Sequence, residues 1–563
     1  MIKTKIENYL GKAVGNDIKI EVFVPENEQF GHYSTSVALK LAKELKKPSM
    51  EIAEEIKTAL SYGIAKKYFK KIEIAAPGFI NFWVSEKVLK NEFENIYKLN
   101  GEWGKNKNKI KKNVVIDYCG VNIAKPMSVG HLRSTIIGQA LYNIFKFKGY
   151  KVIGDNHLGD WGKQFGVLIA AYKEARKNKK LKDISLDNLM ELYVNYTARM
   201  KNNLELGNIA KEEIKKLQSG DGENLRIWKK FHNITFKELK NIFNLLDVEF
   251  DYQLGESFYN QMLKDVVSEA LRKKIAVKSE GAIVIFIEGD EIPFIIQKSD
   301  GAYLYATTDI ATVKYRVKKF KVDSILYVVG NEQTFHLSQL FNAVRKMGIV
   351  KNQELAHIKF GLILNEDMKR LSTRAGKHIS LESLLKEAII RAKKIIEEKN
   401  PYLNLKEKEK IANIVGIGAV KYNDLSQNRQ SDIAFNWDKM LNFEGNSGPY
   451  LQYTYARLKS ILRKSDFKKF DSKYLNKKIE MDLILKLEEF SSVIEKITIN
   501  YFPHYLADYL FGLAKLTNSF YQSSPVLKAE KGIKEARLAL IKAVAETLKT
   551  GLNLLGIEAP EKM

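Results

Sequence analysis

The chain has 563 residues, too many for one hydrophobic core, so about three or four domains are expected. Hydrophobic residues at 45% and aromatic residues at 11% place it among folded globular proteins, and no run approaches the ~18 apolar residues of a membrane span. Lys and Arg number 92 against 67 Asp and Glu, a formal net charge of +25; phosphate contacts supply most nucleic-acid affinity, so the excess points to RNA or DNA as partner. A genome-wide bias toward Lys, Asn and Ile would give the same excess without a function. The single cysteine, Cys119, excludes an internal disulfide and a Cys-rich zinc site, and a reducing compartment is expected. MIKTKIENYLGKAVG lacks the apolar block of a signal peptide, so a cytoplasmic protein is expected.

In chain order, residues 1–110 read as a small α+β domain. Apolar periodicity in SVALKLAKELKK and EIAEEIKTAL predicts helices, and KIEIAAPGFINFWVS predicts strands about a Pro-Gly turn. The basic run KNKNKIKK, residues 105–112, reads as a linker. In residues 111–385 strands alternate with helices. The strand NVVIDYCG leads through a loop to the helix HLRSTIIGQALYNIFKF, stopped by Gly149, and to the strand YKVIGDN. Later AYLYATTD enters the helix IATVKYRVKKF, followed by the strand DSILYVVGN, the helix FHLSQLFNAVRKMG and the strand HIKFGLIL. This order predicts an α/β domain with a Rossmann-like, doubly wound parallel sheet. Insertions at about 170–300 carry charged helices and a possible small β unit, KIAVKSEGAIVIFIEGDEIPFIIQ. Residues 386–563 turn helical, and Leu538, Ile541, Ala545, Leu548, Leu552 and Leu555 fall on one face, as in an all-α helical bundle.

Ligands of a parallel sheet sit beyond the carboxyl ends of its strands. KPMSVGHLRST, residues 125–135, occupies such a place. Gly130 permits close backbone approach, the helix N-terminus offers free N–H groups, and Lys125 and His131 add donors, a set suited to phosphates. Neither GxGxxG nor GxxxxGK[ST] occurs there, which disfavours dinucleotide binding and P-loop hydrolysis. Alone, the Val-Gly-His triplet would more often be packing and a cap. The basic loop KRLSTRAGKHISL, residues 369–381, suits a mobile cover over phosphates, although surface solubility would also explain it. The two segments in this order are more specific than either one.

That pair resembles the HIGH and KMSKS signatures of class I aminoacyl-tRNA synthetases. NIAKPMSVGHLRSTIIG, GDNHLGDWGKQFG, YLYATTDIATVKYR, KRLSTRAGK, NSGPYLQYTYARLKSILR and the terminal GLNLLGIEAPEKM resemble the arginyl-tRNA synthetases in particular, over essentially the whole chain. The resemblance implies attachment of L-arginine to tRNA(Arg) through an arginyl-adenylate, with ATP and Mg²⁺, by a monomer without a resident metal site. It implies that Lys125, Ser128, Gly130, His131, Arg370, Ser372 and Arg374 serve the phosphates, with His336 and Gln339 toward the adenosine. Asp117, Asn122, Tyr305, Asp309 and Gln333 would hold arginine, whose fork of donors needs carboxylates and oriented acceptors. A helix cap is the plainer role for Asp309, core packing for Tyr305, and an ordinary amphipathic helix for His336 and Gln339. The N-terminal domain would meet the tRNA elbow near Phe79 and Asn81, and the bundle the anticodon near Tyr450, Tyr453 and Tyr521, of which at least one is expected in the core.

Two departures from the signatures stand out. Ser128 replaces the first histidine of HIGH, and Arg370 and Arg374 stand for the lysines of KMSKS, with Leu371 for its methionine. In the arginyl family a lysine just before the first motif compensates, and Lys125 holds that place. The alternatives are another class I synthetase or a catalytically silent tRNA-binding paralogue. A glutamate enzyme would need basic residues at Asp117 and Asp309, and a cysteine enzyme would need zinc ligands that one cysteine cannot supply.

Overall fold

The structure, a computed structural model, describes all residues except 16, 17, 19, 107, 108, 179–183, 366–368 and 370–379. Its centre is a parallel sheet of Glu354–His357, Ser324–Tyr327, Asn113–Asp117 and Lys151–Asp155, in that spatial order. From Asn113–Asp117 the chain first steps to Lys151–Asp155 on one side and later to Ser324–Tyr327 on the other. That reversal of direction opens a crevice at the carboxyl ends of the strands. The register aligns His357, Tyr327, Asp117 and Asp155 in one row along this edge.

Strand alternation divides the sheet's side chains between two cores. Val114, Ile116 and Leu326 join a core that also takes in the N-terminal domain and the helical bundle. Val115, Ile153, Ile325 and Tyr327 point the other way, into a core with the helices Tyr305–Phe320 and Thr334–Lys346. Asp117 and Asp155 share the parity of Val115 and Ile153, so they lie on the second face. The helix Gly130–Phe147 packs on the first face so closely that a Cβ on Gly138 would come within 2.2 Å of the Tyr118 side chain. Gly149, at φ +91°, turns the chain into the next strand.

The last expected strand, HIKFGLIL, is broken in two. The continuous ladder ends at His357, one further bridge joins Phe360 to Gly330, and Ile363–Leu364 pair instead with Ile433–Ala434. The cause is close packing at Gly361, whose N–H donates to the Arg429 carbonyl at 3.0 Å and where a Cβ would meet Asp432 Oδ1 at 2.5 Å.

The insertions comprise the helices Leu186–Met200, Leu204–Gln218 and Gly222–Leu245, and an antiparallel unit of Ala276–Ser279, Ala282–Ile285 and Phe294–Gln297. The three helices begin at Ser185, Asn203 and Asp221, whose side chains accept from backbone N–H groups of the first turn.

In the C-terminal bundle, Leu538, Ile541, Ala545, Leu548 and Leu552 are buried on one face of Ile533–Leu554, and Leu555 follows them. Ala536, Leu540 and Val544 are equally buried, so the apolar face wraps most of this helix and its polar side narrows to the partly exposed Lys542, Glu546 and Lys549.

The N-terminal domain is a four-stranded antiparallel sheet with helices, including the expected pair Phe69–Ala75 and Phe79–Val84. It docks on the bundle through Glu488, a buried carboxylate that accepts from the Ile2 N–H at 2.6 Å and from the Tyr33 hydroxyl.

Candidate active site

The first basic corner forms as expected. The helix begins at Gly130, and the Ser128 backbone N–H donates to His131 Nδ1 at 3.1 Å, with Ser128 Oγ 3.0 Å from the same nitrogen. An accepting Nδ1 leaves Nε2 as the protonated nitrogen of a neutral ring, and burial lowers the His131 pKa to keep it neutral. Ser128 thus orients the imidazole that remains of the signature.

The far root of the second basic loop reaches the same corner: Ser380 bridges Ser128, and the Leu381 N–H donates to the Met127 carbonyl at 2.9 Å. Arg370, Ser372 and Arg374 lie outside the described residues. Lys125 sits with its ammonium 5.2 Å from the ring centroid of Tyr193, on the helical insertion.

Across the crevice the acidic residues gather. Asp309 lies in the second turn of Tyr305–Phe320, whose N-cap position is Leu304, so it does not cap that helix. Its Oδ2 is 2.6 Å from His336 Nε2, and the His336 ring meets Tyr305 edge-on at 4.8 Å. Tyr305 is 62% exposed and so is not core. Asn122 is exposed beside Gly159, where a Cβ would come within 2.1 Å of Asn122 Oδ1; the glycine makes room for the amide. Gln333 is exposed at the entrance to Thr334–Lys346.

Three of the expected site residues already have partners within the chain. His336, expected toward the adenosine, has its ring hydrogen-bonded to the Asp309 carboxylate and edge-on to Tyr305. Gln339, expected likewise, is buried, and its Nε2 donates to the Ile292 carbonyl at 2.6 Å, which ties the helix to the β insertion. Asp117 is 7% exposed and already paired: Arg316 Nη2 lies 2.8 Å from its Oδ2.

Several groups at this edge escaped the sequence reading. Arg316 also donates to Asp155 Oδ2, through Nε at 3.0 Å and Nη2 at 2.8 Å. Its position seven residues after Asp309, on the same helical face, was the available signal. Glu256 is half-buried near Asp160, Asp309 and His157; burial pushes its carboxyl up, and His157 opposes that shift. Asp160 is buried, accepts from the Ser257 N–H and hydroxyl, and faces His232 at 3.2 Å. Asp155, His157 and Asp160 all lie within GDNHLGDWGKQFG, a string whose single residues carry no acid–base pattern by themselves. The crevice is therefore lined with carboxylates in a chain of net charge +25.

Of the candidate nucleic-acid contacts, Tyr453 and Tyr521 are 39% and 41% exposed, with the Arg457 guanidinium 5.1 and 5.9 Å from their ring centroids. Tyr450 is half-buried, its hydroxyl accepting from Asn518 at 2.8 Å, and it is the one of the three given to packing. Phe79 is half-buried against the edge of Phe23. Asn81 is 3% exposed with its Oδ1 accepting from Ser34, which removes it from the surface. Among the described residues there is no cluster of three metal-ligating side chains and no helix long and apolar enough to cross a membrane.

Three family models match the chain: the arginyl-tRNA synthetase N-terminal domain over residues 1–84, the catalytic domain of class I (R) tRNA synthetases over 93–437, and the DALR anticodon-binding domain over 451–563. Among curated relatives, the arginine–tRNA ligase of Fusobacterium nucleatum is 43% identical over 97% of this chain and 95% of its own length. That of Alkaliphilus metalliredigens is 38% identical over 100% and 99%. Solved arginyl-tRNA synthetases from Plasmodium falciparum (31% identity, covering 100% of this chain and 98% of that one) and Thermus thermophilus (25%, covering both fully) each superpose with a TM-score of 0.85. With a sheet that opens an acidic crevice beside a Gly-His corner, and with likeness along its full length, the chain belongs to the class I arginyl-tRNA synthetases.

Proposed function

We propose that the chain activates L-arginine with ATP to arginyl-adenylate and pyrophosphate and then transfers the arginyl group to tRNA(Arg). The observation that carries this reading is that the strand ending at Asp117 leads into the helix opened by the corner of Ser128, Gly130 and His131, while Asp309 and Glu256 stand near each other as acids of the same crevice. Carboxylates grasp the guanidinium and ammonium of arginine through charge-assisted bonds, and a rival without those donors leaves buried acceptors unpaired. Lysine is rejected on that ground without an editing domain.

The substrate carboxylate attacks the α-phosphate in line, so no enzyme nucleophile is required. The protein holds two anions against each other while Lys125, the Nε2–H of His131, Arg374 and the helix N-terminal amides take up charge gathering on the phosphates. Asn122, Tyr305 and Gln333 orient the amino acid. Mg²⁺ belongs here as the counter-ion of the nucleotide, and no side-chain cage for it occurs among the described residues. The 2′-hydroxyl of the terminal tRNA adenosine then attacks the adenylate carbonyl, the bond to the phosphate breaks and AMP leaves with the arginyl ester on the tRNA, while Tyr453, Tyr521 and Arg457 supply stacking faces and charge for unpaired bases.

The test is to offer radiolabelled amino acids singly with ATP, Mg²⁺ and bulk tRNA. Arginine alone should be charged, and pyrophosphate exchange should require tRNA. Charging of lysine or glutamate in place of arginine refutes the assignment, and strong exchange without tRNA refutes the dependence.

A further inference from the structure

The buried arginine between two aspartates has no place in the scheme above. We propose that Arg316 is a positioning residue for amino-acid recognition, clamping Asp117 and Asp155 together so that one chosen oxygen of Asp117 faces the substrate. The proposal rests on the reading that Asp117 touches arginine.

Parallel register places Asp117 beside Asp155 on neighbouring strands, both on the face covered by Tyr305–Phe320. Two buried carboxylates side by side repel each other and favour protonation. Arg316, 0% exposed, answers both: Nη2 reaches Asp117 Oδ2 and Asp155 Oδ2 at 2.8 Å each, and Nε reaches Asp155 Oδ2 at 3.0 Å. The guanidinium is backed by the Tyr327 ring, 5.5 Å from its centroid.

Both contacts to Asp117 and Asp155 engage Oδ2, which leaves Oδ1 of Asp117 outside the clamp. Asp117 can therefore take a donor from the substrate through Oδ1. Two carboxylates and one guanidinium leave a single negative charge, which one substrate cation completes.

Asp117 is faced by Arg316 from the helix, Asp155 from the next strand, His157 from the loop beyond it, Tyr327 from the strand on its other side, Tyr259 from the short helix Glu256–Tyr259 and Cys119 from its own loop. Burial pushes the Asp117 carboxyl up and Arg316 is the main opposing influence. Removal of the guanidinium leaves two carboxylates side by side and should favour a proton on the Asp117–Asp155 pair, and a protonated Asp117 binds a cation poorly.

The experiment measures the KM for arginine and for ATP in tRNA charging, between about pH 6 and 9, for wild type, Arg316→Met, Arg316→Lys and Asp117→Asn, with thermal melts as the check on folding. Arg316→Met should raise the arginine KM about tenfold or more at neutral pH, recover toward alkaline pH, and change the ATP KM less than about threefold. Arg316→Lys keeps the charge but loses the fork, so it should raise the arginine KM selectively with a flat pH profile.

A rise in arginine KM for Arg316→Met that ignores pH, or an equal rise in both KM values, overturns the clamp. So does an unchanged arginine KM in Arg316→Lys. Should Arg316→Met fail to fold, Arg316→Lys decides by the same split between the two substrates. An unchanged arginine KM in Asp117→Asn would instead overturn the assignment of Asp117 to the substrate.

Discussion

At the scale of single residues, the site divides acids by what each is already bonded to. Asp309 is bonded to His336 through Oδ2 alone, which leaves Oδ1 for a cation; Asp309→Ala should raise the arginine KM about a hundredfold, as for loss of a charged contact desolvated by the substrate, and the ATP KM far less. Equal losses would make it structural. His131 gives a pH prediction. Its pKa is lowered by burial, so the neutral ring should persist through the usual imidazole range as pH falls. Activity should decline only below about pH 6.5, and a decline that begins above that value in a kcat/KM profile would contradict the neutral ring. Tyr305, Asp309 and the Gly-His corner were legible because each sits within one helix or loop, at spacings a sequence displays. The pairing of Arg316 with Asp117 was not, because 199 positions separate the two and only the strand register brings them together.

At the scale of elements, packing of the helix Gly130–Phe147 on Asn113–Asp117 places the corner against the sheet edge. Gly138→Ala drives a methyl into Tyr118, and should cost about 1–3 kcal/mol in urea unfolding. Lys421 binds elements from distant parts of the chain, donating to the Leu246 carbonyl after the long insertion helix and to the Gly556 carbonyl after the last helix. Burial lowers its pKa to about 8 from the ordinary 10.5, so between those values the unfolded chain holds more protons than the folded one. Stability from this group therefore rises as pH climbs through that window and is lost on the way down. In paired melts, wild type should gain on Lys421→Met across the window; a constant difference would mean the lysine keeps its ordinary pKa. The broken strand at Gly361 was hidden from sequence for a similar reason. HIKFGLIL has the apolar run of a full strand, and only the arrival of residues 428–434 against the glycine ends it.

At the scale of the whole molecule, the proposed function assigns the excess of positive charge to tRNA and the acidic crevice to arginine. The KM for tRNA should rise steeply with salt while that for arginine rises little, since screening acts on exposed phosphate contacts more than on a desolvated pocket. Parallel slopes in a charging assay would refute that separation. Domain order was readable throughout, because composition and periodicity change along the chain, but how the ends meet was not. Glu488 reads as one more acid on a helix until the fold sets Ile2 and Tyr33 upon it. One hydrophobic core runs without interruption from Ile2 through Val114 to Ile557. A gene fragment cut at either junction would thus carry a raw oily face, and such pieces should precipitate when expressed singly yet dissolve when produced together.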